Sequence, residues 1–195
     1  MDSILGYPHA GNDVFYVRGF FEGNIITAYF NLEASIQQKI DLHIIGVNEN
    51  QLLEEGYCDR EQLDKMIDTI HVYGRIPHER VISLLRSMDF SILARPREER
   101  YAKAGFPTKS VEAMINSVAM LCNFTSDLDR YLRHKENAFI FENETVEAIQ
   151  QGFVGVAELS ADEIVAIRKA ARKTAEENFD YRLYIETMKE FLGAR

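Results

Sequence analysis

The stretch Phe90-Ser91-Ile92-Leu93-Ala94-Arg95, continued after a charged interval by Ala104-Gly105-Phe106-Pro107-Thr108-Lys109-Ser110-Val111-Glu112-Ala113-Met114 and by Met120-Leu121-Cys122-Asn123, decides the fold. Its two ends are short continuous apolar runs, the pattern of strands covered on both faces. The middle has helical spacing opened by Gly and Pro. Strand, helix and strand in that order predict a parallel βαβ unit, whose ligands collect outside the C-terminal ends of the strands.

Working outward, the same alternation recurs along the chain. Residues 3–7, 41–47, 70–73, 90–95, 120–123 and 138–141 are the predicted strands. Helices fill most of the intervals. The expectation is an α/β protein with a Rossmann-like parallel sheet of about six strands and helices on both faces. No internal repeat or Gly/Ser-rich linker divides the sequence, so residues 1–195 are read as one domain.

Three helices carry readable signals. Val81, Leu84, Leu85 and Met88 share one face of a helix over residues 77–88. Ser160 followed by Glu163 is a capping-box signature, and Ile164, Ile167 and Ala171 carry an apolar stripe onward to Phe179. Residues 181–192 form a terminal helix with Tyr184, Ile185, Met188, Phe191 and Leu192 on its expected buried side. The interval over residues 95–105, with Arg97, Glu98, Glu99, Arg100 and Lys103, is read as a charged surface loop.

A chain of 195 residues with 46% apolar and 27% charged residues is sized for one well-buried soluble domain. The formal net charge of −9 argues against a broad surface for nucleic acid, while leaving room for one small anion beside a few arginines. Cys58 and Cys122 build neither a disulfide framework nor a metal site, which fits a reducing cytoplasm. No window has the apolar length of a membrane span. Gly6 and Gly11 lack the spacing of a dinucleotide-binding fingerprint, which disfavours an oxidoreductase.

The candidate site follows from the segment quoted first. Gly105 allows close backbone approach, and Pro107 suits the first turn of a helix. The N–H groups of Thr108 and Lys109 then face the position where a helix attracts an anion. Lys109 and Arg95 supply charge-assisted contacts to a diphosphate. Glu112, one turn further, offers two acceptor oxygens to the hydroxyls of a ribose. The same features also fit an ordinary Gly-Pro helix start with a glutamate that only complements the helix dipole.

Taken in order along nearly the whole chain, the motifs resemble those of GT-B glycosyltransferases of family 4, at their C-terminal, donor-binding half. Leu42-His43-Ile44-Ile45-Gly46 looks like the family's second strand and its glycine. Ile70-His71-Val72-Tyr73-Gly74-Arg75-Ile76 resembles the strand and turn near the nucleotide base, which makes Gly74, Arg75 and Ile76 base-vicinity candidates. The most specific match is residues 105–113, with Gly105, Phe106, Thr108, Lys109 and Glu112 as donor contacts. The resemblance implies a nucleoside-diphosphate sugar as donor substrate, transfer with retention, and neither cofactor nor metal. It also implies a saccharide or lipid-linked acceptor brought by an N-terminal domain that this sequence lacks, and the apolar terminal helix is expected either to pack across the junction with that domain or to cover this domain's own sheet. The setting it implies is cytoplasmic, or peripheral to the inner membrane face.

The chain departs from the family pattern at identifiable positions. The first glutamate of the paired motif would fall at Ala104, eight positions before Glu112. Gly11 and Asn12 stand as a candidate phosphate loop, with Asn12 where a lysine is expected. Ser117 and Ala119 replace a glycine and a proline. The alternatives are therefore a degenerate binding module of the same fold, or half of a sugar-nucleotide epimerase. An isolated domain of this kind is expected to be inactive by itself. His9 is the histidine expected to face the cleft, and no catalytic residue is assigned.

Overall fold

A computed structural model describes residues 12–17 and 23–193. The chain order is β1 (Asn12–Val17), α1 (Gly23–Phe30), α2 (Ala34–Gln37), β2 (Ile40–Ile45), α3 (Glu49–Glu54), α4 (Arg60–Lys65), β3 (Ile70–Val72), α5 (His78–Leu85) and β4 (Phe90–Leu93). It continues through α6 (Arg100–Ala104), α7 (Thr108–Ile115), β5 (Ala119–Cys122), β6 (Ala138–Ile140), α8 (Val146–Ala157), α9 (Ala161–Asn178) and α10 (Ile185–Phe191). Short 3-10 turns lie at Leu128–Arg130 and Tyr181–Tyr184.

The strands form one sheet in the order β3-β2-β1-β4-β5-β6, and every pairing is parallel. Crossovers between parallel strands are right-handed, so the reversal of direction after β3 sends helices to both faces. On one face α1 packs against α8, and on the other α7 packs against α9. The continuous apolar runs become the core: every residue of β4 and β5 is buried. Gly155 lets α8 lie close to β6, since a Cβ there would sit 2.2 Å from Cζ of Phe139. Tyr29, fully buried on α1, donates its hydroxyl to the Ile40 carbonyl at 2.8 Å, and burial pushes its pKa up to about 12.

The capping box at Ser160 and Glu163 opens α9 as expected, and Ile164, Ile167 and Ala171 face the core. On α5, Leu85 and the following Met88 are buried, while Val81 and Leu84 pack partly against them. Three expectations change. The strand expected over residues 3–7 lies outside the described residues, and β1, over residues not expected to form a strand, is the first strand described. Asn12, expected in a phosphate loop, instead begins β1 and pairs with Ile40 at the start of β2. That is the N-terminal edge of a parallel sheet, a strand length away from the edge where ligands bind, so Asn12 does not line the site. Gly11 lies outside the described residues. The charged interval contains a helix, α6, because Arg100 to Ala104 holds good helix formers and no breaker.

The largest correction concerns the terminal helix. Its apolar residues are not buried: Tyr184, Ile185 and Met188 are exposed, Phe191 is 85% exposed and Leu192 69%. Among the elements described, α10 packs on the 3-10 turn that precedes it, so its apolar side is left uncovered by the rest of the domain.

Candidate functional site

The strand order reverses between β1 and β4, and an open α/β sheet leaves a crevice at the C-terminal ends of the two strands flanking such a reversal. The segments that leave that edge from β3, β4 and β5 are all described. Residues 18–22, which follow β1, lie outside the described residues.

Asn123, fully buried just past β5, builds the floor of this edge. Its side-chain oxygen accepts from the Arg95 N–H at 3.0 Å, and its amide nitrogen donates to the Arg95 carbonyl at 2.7 Å. The two bonds fix the backbone where β4 turns outward. From there the Arg95 guanidinium reaches the Gly105 carbonyl at 3.4 Å, which ties the strand end to the turn before α7. A guanidinium has five N–H donors, so this bond leaves others to meet an anion. Arg97 instead donates to the Phe124 carbonyl at 2.8 Å, and Lys103 pairs with Glu98. These cations are committed to the loop's own structure.

Pro107 is the N-cap of α7 rather than its first helical residue. Ser110, buried, closes the cap by donating both its N–H and its hydroxyl to the Pro107 carbonyl. Thr108 and Lys109 therefore occupy the first two helical positions of α7. The helix dipole favours negative charge at this point. Glu112 lies four residues after Thr108 and so projects from the same side of α7, one turn further on. Its carboxylate faces His78, the first residue of α5, with Nε2 to Oε1 at 3.6 Å.

Gly74, Arg75 and Ile76 border the same edge from β3. Gly74 adopts a positive φ of 65° that a side chain would strain. Its N–H donates to the Val47 carbonyl at 2.9 Å and its carbonyl accepts from Gly46 N–H at 2.7 Å. Both polar groups of Gly74 thus lace the ends of β2 and β3 together and hold the turn's shape. Arg75 is exposed, while Ile76 packs against the core.

The structure thus brings Arg95, Gly105, Phe106, Thr108, Lys109 and Glu112 to one edge, with Gly74, Arg75 and Ile76 beside them. His9 lies outside the described residues. His78 and Asn123 were not singled out from the sequence: nothing local marks them, although an Asn ending a buried strand at the ligand edge is a signal that could have been used. Among the described residues no group of three His, Cys, Asp or Glu side chains is arranged to hold a metal ion. None of the described helices is long and apolar enough to cross a membrane.

Comparison with known proteins gives a consistent answer. The model of the family described as Glycosyl transferases group 1 matches residues 15–177. An uncharacterized glycosyltransferase of Methanocaldococcus jannaschii is 22% identical over 176 residues, which cover 86% of this chain and 40% of the relative. Among solved structures, a glycosyltransferase from Rickettsia africae superposes with a TM-score of 0.67 at 17% identity, over 96% of this chain and 50% of that one. Anabaena HepE in complex with UDP-glucose gives 0.68 at 15% identity, over 95% and 49%. The C-terminal domain of a group 1 family protein, LpcC of Francisella tularensis, gives 0.66 at 15% identity, over 87% and 86%. The chain therefore spans about half the length of the first two of these structures, less of the curated relative, and most of the C-terminal domain from Francisella tularensis.

Proposed function

This chain belongs to the group 1 glycosyl transferases, and we propose that it is the donor-binding domain of a GT-B enzyme that transfers a hexose from a nucleoside diphosphate with retention of configuration. The observation that carries the reading is the convergence at the β1/β4 crevice of the α7 N-terminus, the Arg95 guanidinium and the Glu112 carboxylate. The complex of HepE with UDP-glucose, a protein of similar fold, supports the choice of ligand class.

In this reading Thr108 and Lys109 direct their N–H groups at the diphosphate. As the bond between the sugar carbon and the diphosphate oxygen breaks, negative charge grows on the leaving oxygen. The helix N-terminus, Lys109 and Arg95 stabilise that charge. Glu112 accepts hydrogen bonds from the ribose. The turn at Gly74, Arg75 and Ile76 borders the base, and the Gly105 and Phe106 backbone faces the sugar in place of the carboxylate absent at Ala104. Metal and cofactor have no part in this scheme.

A saccharide or lipid-linked acceptor is brought by a second, N-terminal domain, in a cytoplasmic or membrane-peripheral setting. The exposed apolar side of α10 is the surface on which that domain rests, which fits the half-length coverage of the Rickettsia africae and HepE structures. The test is amide chemical-shift mapping with UDP-glucose. Shifts clustered at residues 74–78, 95 and 105–112 support the assignment, and shifts spread elsewhere refute it.

A further inference from the structure

Three rings meet behind the turn that precedes α7. Phe106 stands edge-on to Tyr131, with centroids 5.9 Å apart and planes at 88°. It also packs on Phe179 at 5.5 Å, and Tyr131 and Phe179 complete the triangle at 4.7 Å. All three rings are half-buried. They come from remote parts of the chain: Phe106 from the turn between α6 and α7, Tyr131 from the end of the 3-10 turn after β5, and Phe179 from the C-cap of α9.

Two of the three are anchored from behind. Asn137, itself buried, donates to the Tyr131 carbonyl at 2.9 Å and to the Thr174 hydroxyl at 2.8 Å, so one side chain joins the Tyr131 backbone to the last turns of α9. Thr174 in turn donates to the Ala170 carbonyl, and the Phe179 N–H closes the helix on Ala175. Phe106 belongs to residues 105–107, which lie between two helices and outside any regular element. Its side chain is held by rings whose own positions are set elsewhere. The Arg95 bond to the Gly105 carbonyl and the two Ser110 bonds to the Pro107 carbonyl tether the backbone of this turn as well.

We propose that Tyr131 and Phe179 are positioning residues for the site: they hold the Phe106 ring, and through it the Gly105 and Phe106 backbone, at the place where the donor is bound. The proposal rests on the donor-domain reading, but its geometric half does not. A glycine beside an irregular turn has wide conformational freedom, and binding to an unordered turn would have to overcome its ordering entropy. Packing Phe106 against two fixed rings removes that freedom before the ligand arrives. Because Phe179 directly precedes the segment leading to α10, the same cluster sits where the chain leaves α9 for its exposed terminal helix.

The test compares the parent chain with Phe179→Ala, Tyr131→Ala and the conservative Phe179→Tyr. Backbone order parameters of Gly105 and Phe106 are measured by nitrogen-15 relaxation without ligand, and UDP affinity by calorimetry. The two alanine variants are expected to lower the order parameters at 105 and 106 while β4 and β5 stay rigid, and to weaken UDP binding roughly five- to tenfold. Phe179→Tyr, which keeps the ring, is expected to restore both. Unchanged order parameters overturn the proposal, as does lowered order with unchanged UDP affinity. If the parent itself fails to bind UDP, the donor assignment for that base falls, while the relaxation data still decide whether the rings hold the turn. If an alanine variant fails to fold, the other one and a Phe179→Leu variant carry the same comparison.

Discussion

Nε2 of His78 and Oε1 of Glu112 stand 3.6 Å apart, joining the first residue of α5 to the second turn of α7 across the edge of the sheet. His78 is largely exposed and Glu112 partly so, and an exposed polar contact of this kind contributes little to stability. Its interest is that the carboxylate assigned to the ribose has a neighbour able to orient it.

The two residues should therefore separate in a binding assay. Glu112→Ala is expected to weaken nucleoside diphosphate binding by about 1.5 to 3 kcal/mol, the value of a charge-assisted hydrogen bond. His78→Ala should cost less than about 1 kcal/mol. Calorimetric titration of both variants checks this, and equal losses would mean that His78 itself touches the ligand.

Ser117, just past α7, has φ of 61°, a left-handed conformation that costs a residue with a Cβ about 1 to 2 kcal/mol. Its carbonyl accepts from Nε of Arg168 at 2.9 Å, so the conformation serves to aim that oxygen. Resemblance to the family placed a glycine here, and the backbone gives the reason. Ser117→Gly is expected to stabilise the domain by about 0.5 to 1 kcal/mol in urea unfolding. A loss of stability would show that the serine side chain contributes more than its backbone strain costs.

Arg168 and Asp89 form a buried pair at 2.7 Å, with side chains only 9% and 8% exposed. This ties α9 to the start of β4. Removing one partner strands the other charge in the core, so Arg168→Met should destabilise the domain by about 3 to 5 kcal/mol. The double variant Asp89→Leu with Arg168→Met should recover part of that loss. Chemical denaturation of the three proteins measures it.

Both thiols should be inert in the native protein. Burial pushes Cys122 up to about 12 and raises Cys58 as well, where the nearby Asp59 adds to the effect. The reactive thiolate is thus scarce at both positions near neutral pH. A colorimetric thiol reagent at pH 8 should label neither cysteine until denaturant is added, and rapid native labelling would contradict the buried placement.

The parts of the fold legible in the sequence were those whose signal is local. Strands β2 to β6 are short, largely apolar runs, and the Ser160/Glu163 box marks a helix start through hydrogen bonds three residues apart. The same physics caps α3 at Asn48 with Gln51 and α4 at Asp59 with Gln62, two boxes that the reading of the sequence did not single out. Strand β1 escaped because Asn12 and Asp13 read as turn residues, whereas at the rim of a parallel sheet a polar start is tolerated. The terminal stripe shows the opposite failure. Periodicity revealed an apolar side on residues 184–192 but not whether this domain had a surface left to cover it. In the site, Glu112 and the α7 N-terminus were legible from spacing within one helix. The Asn123 clamp on Arg95, the His78 partner of Glu112 and the ring triangle around Phe106 depend on residues brought together only by the tertiary fold.

The central claim is that this edge binds the nucleoside diphosphate of a sugar donor. Calorimetric titration of the purified chain with uridine, guanosine and adenosine diphosphates and their sugar conjugates tests it most directly. Saturable one-to-one binding confined to one base class, abolished or strongly weakened in Glu112→Ala, is the expected result. Absence of binding to every member of the panel, or binding indifferent to Glu112, would contradict the assignment.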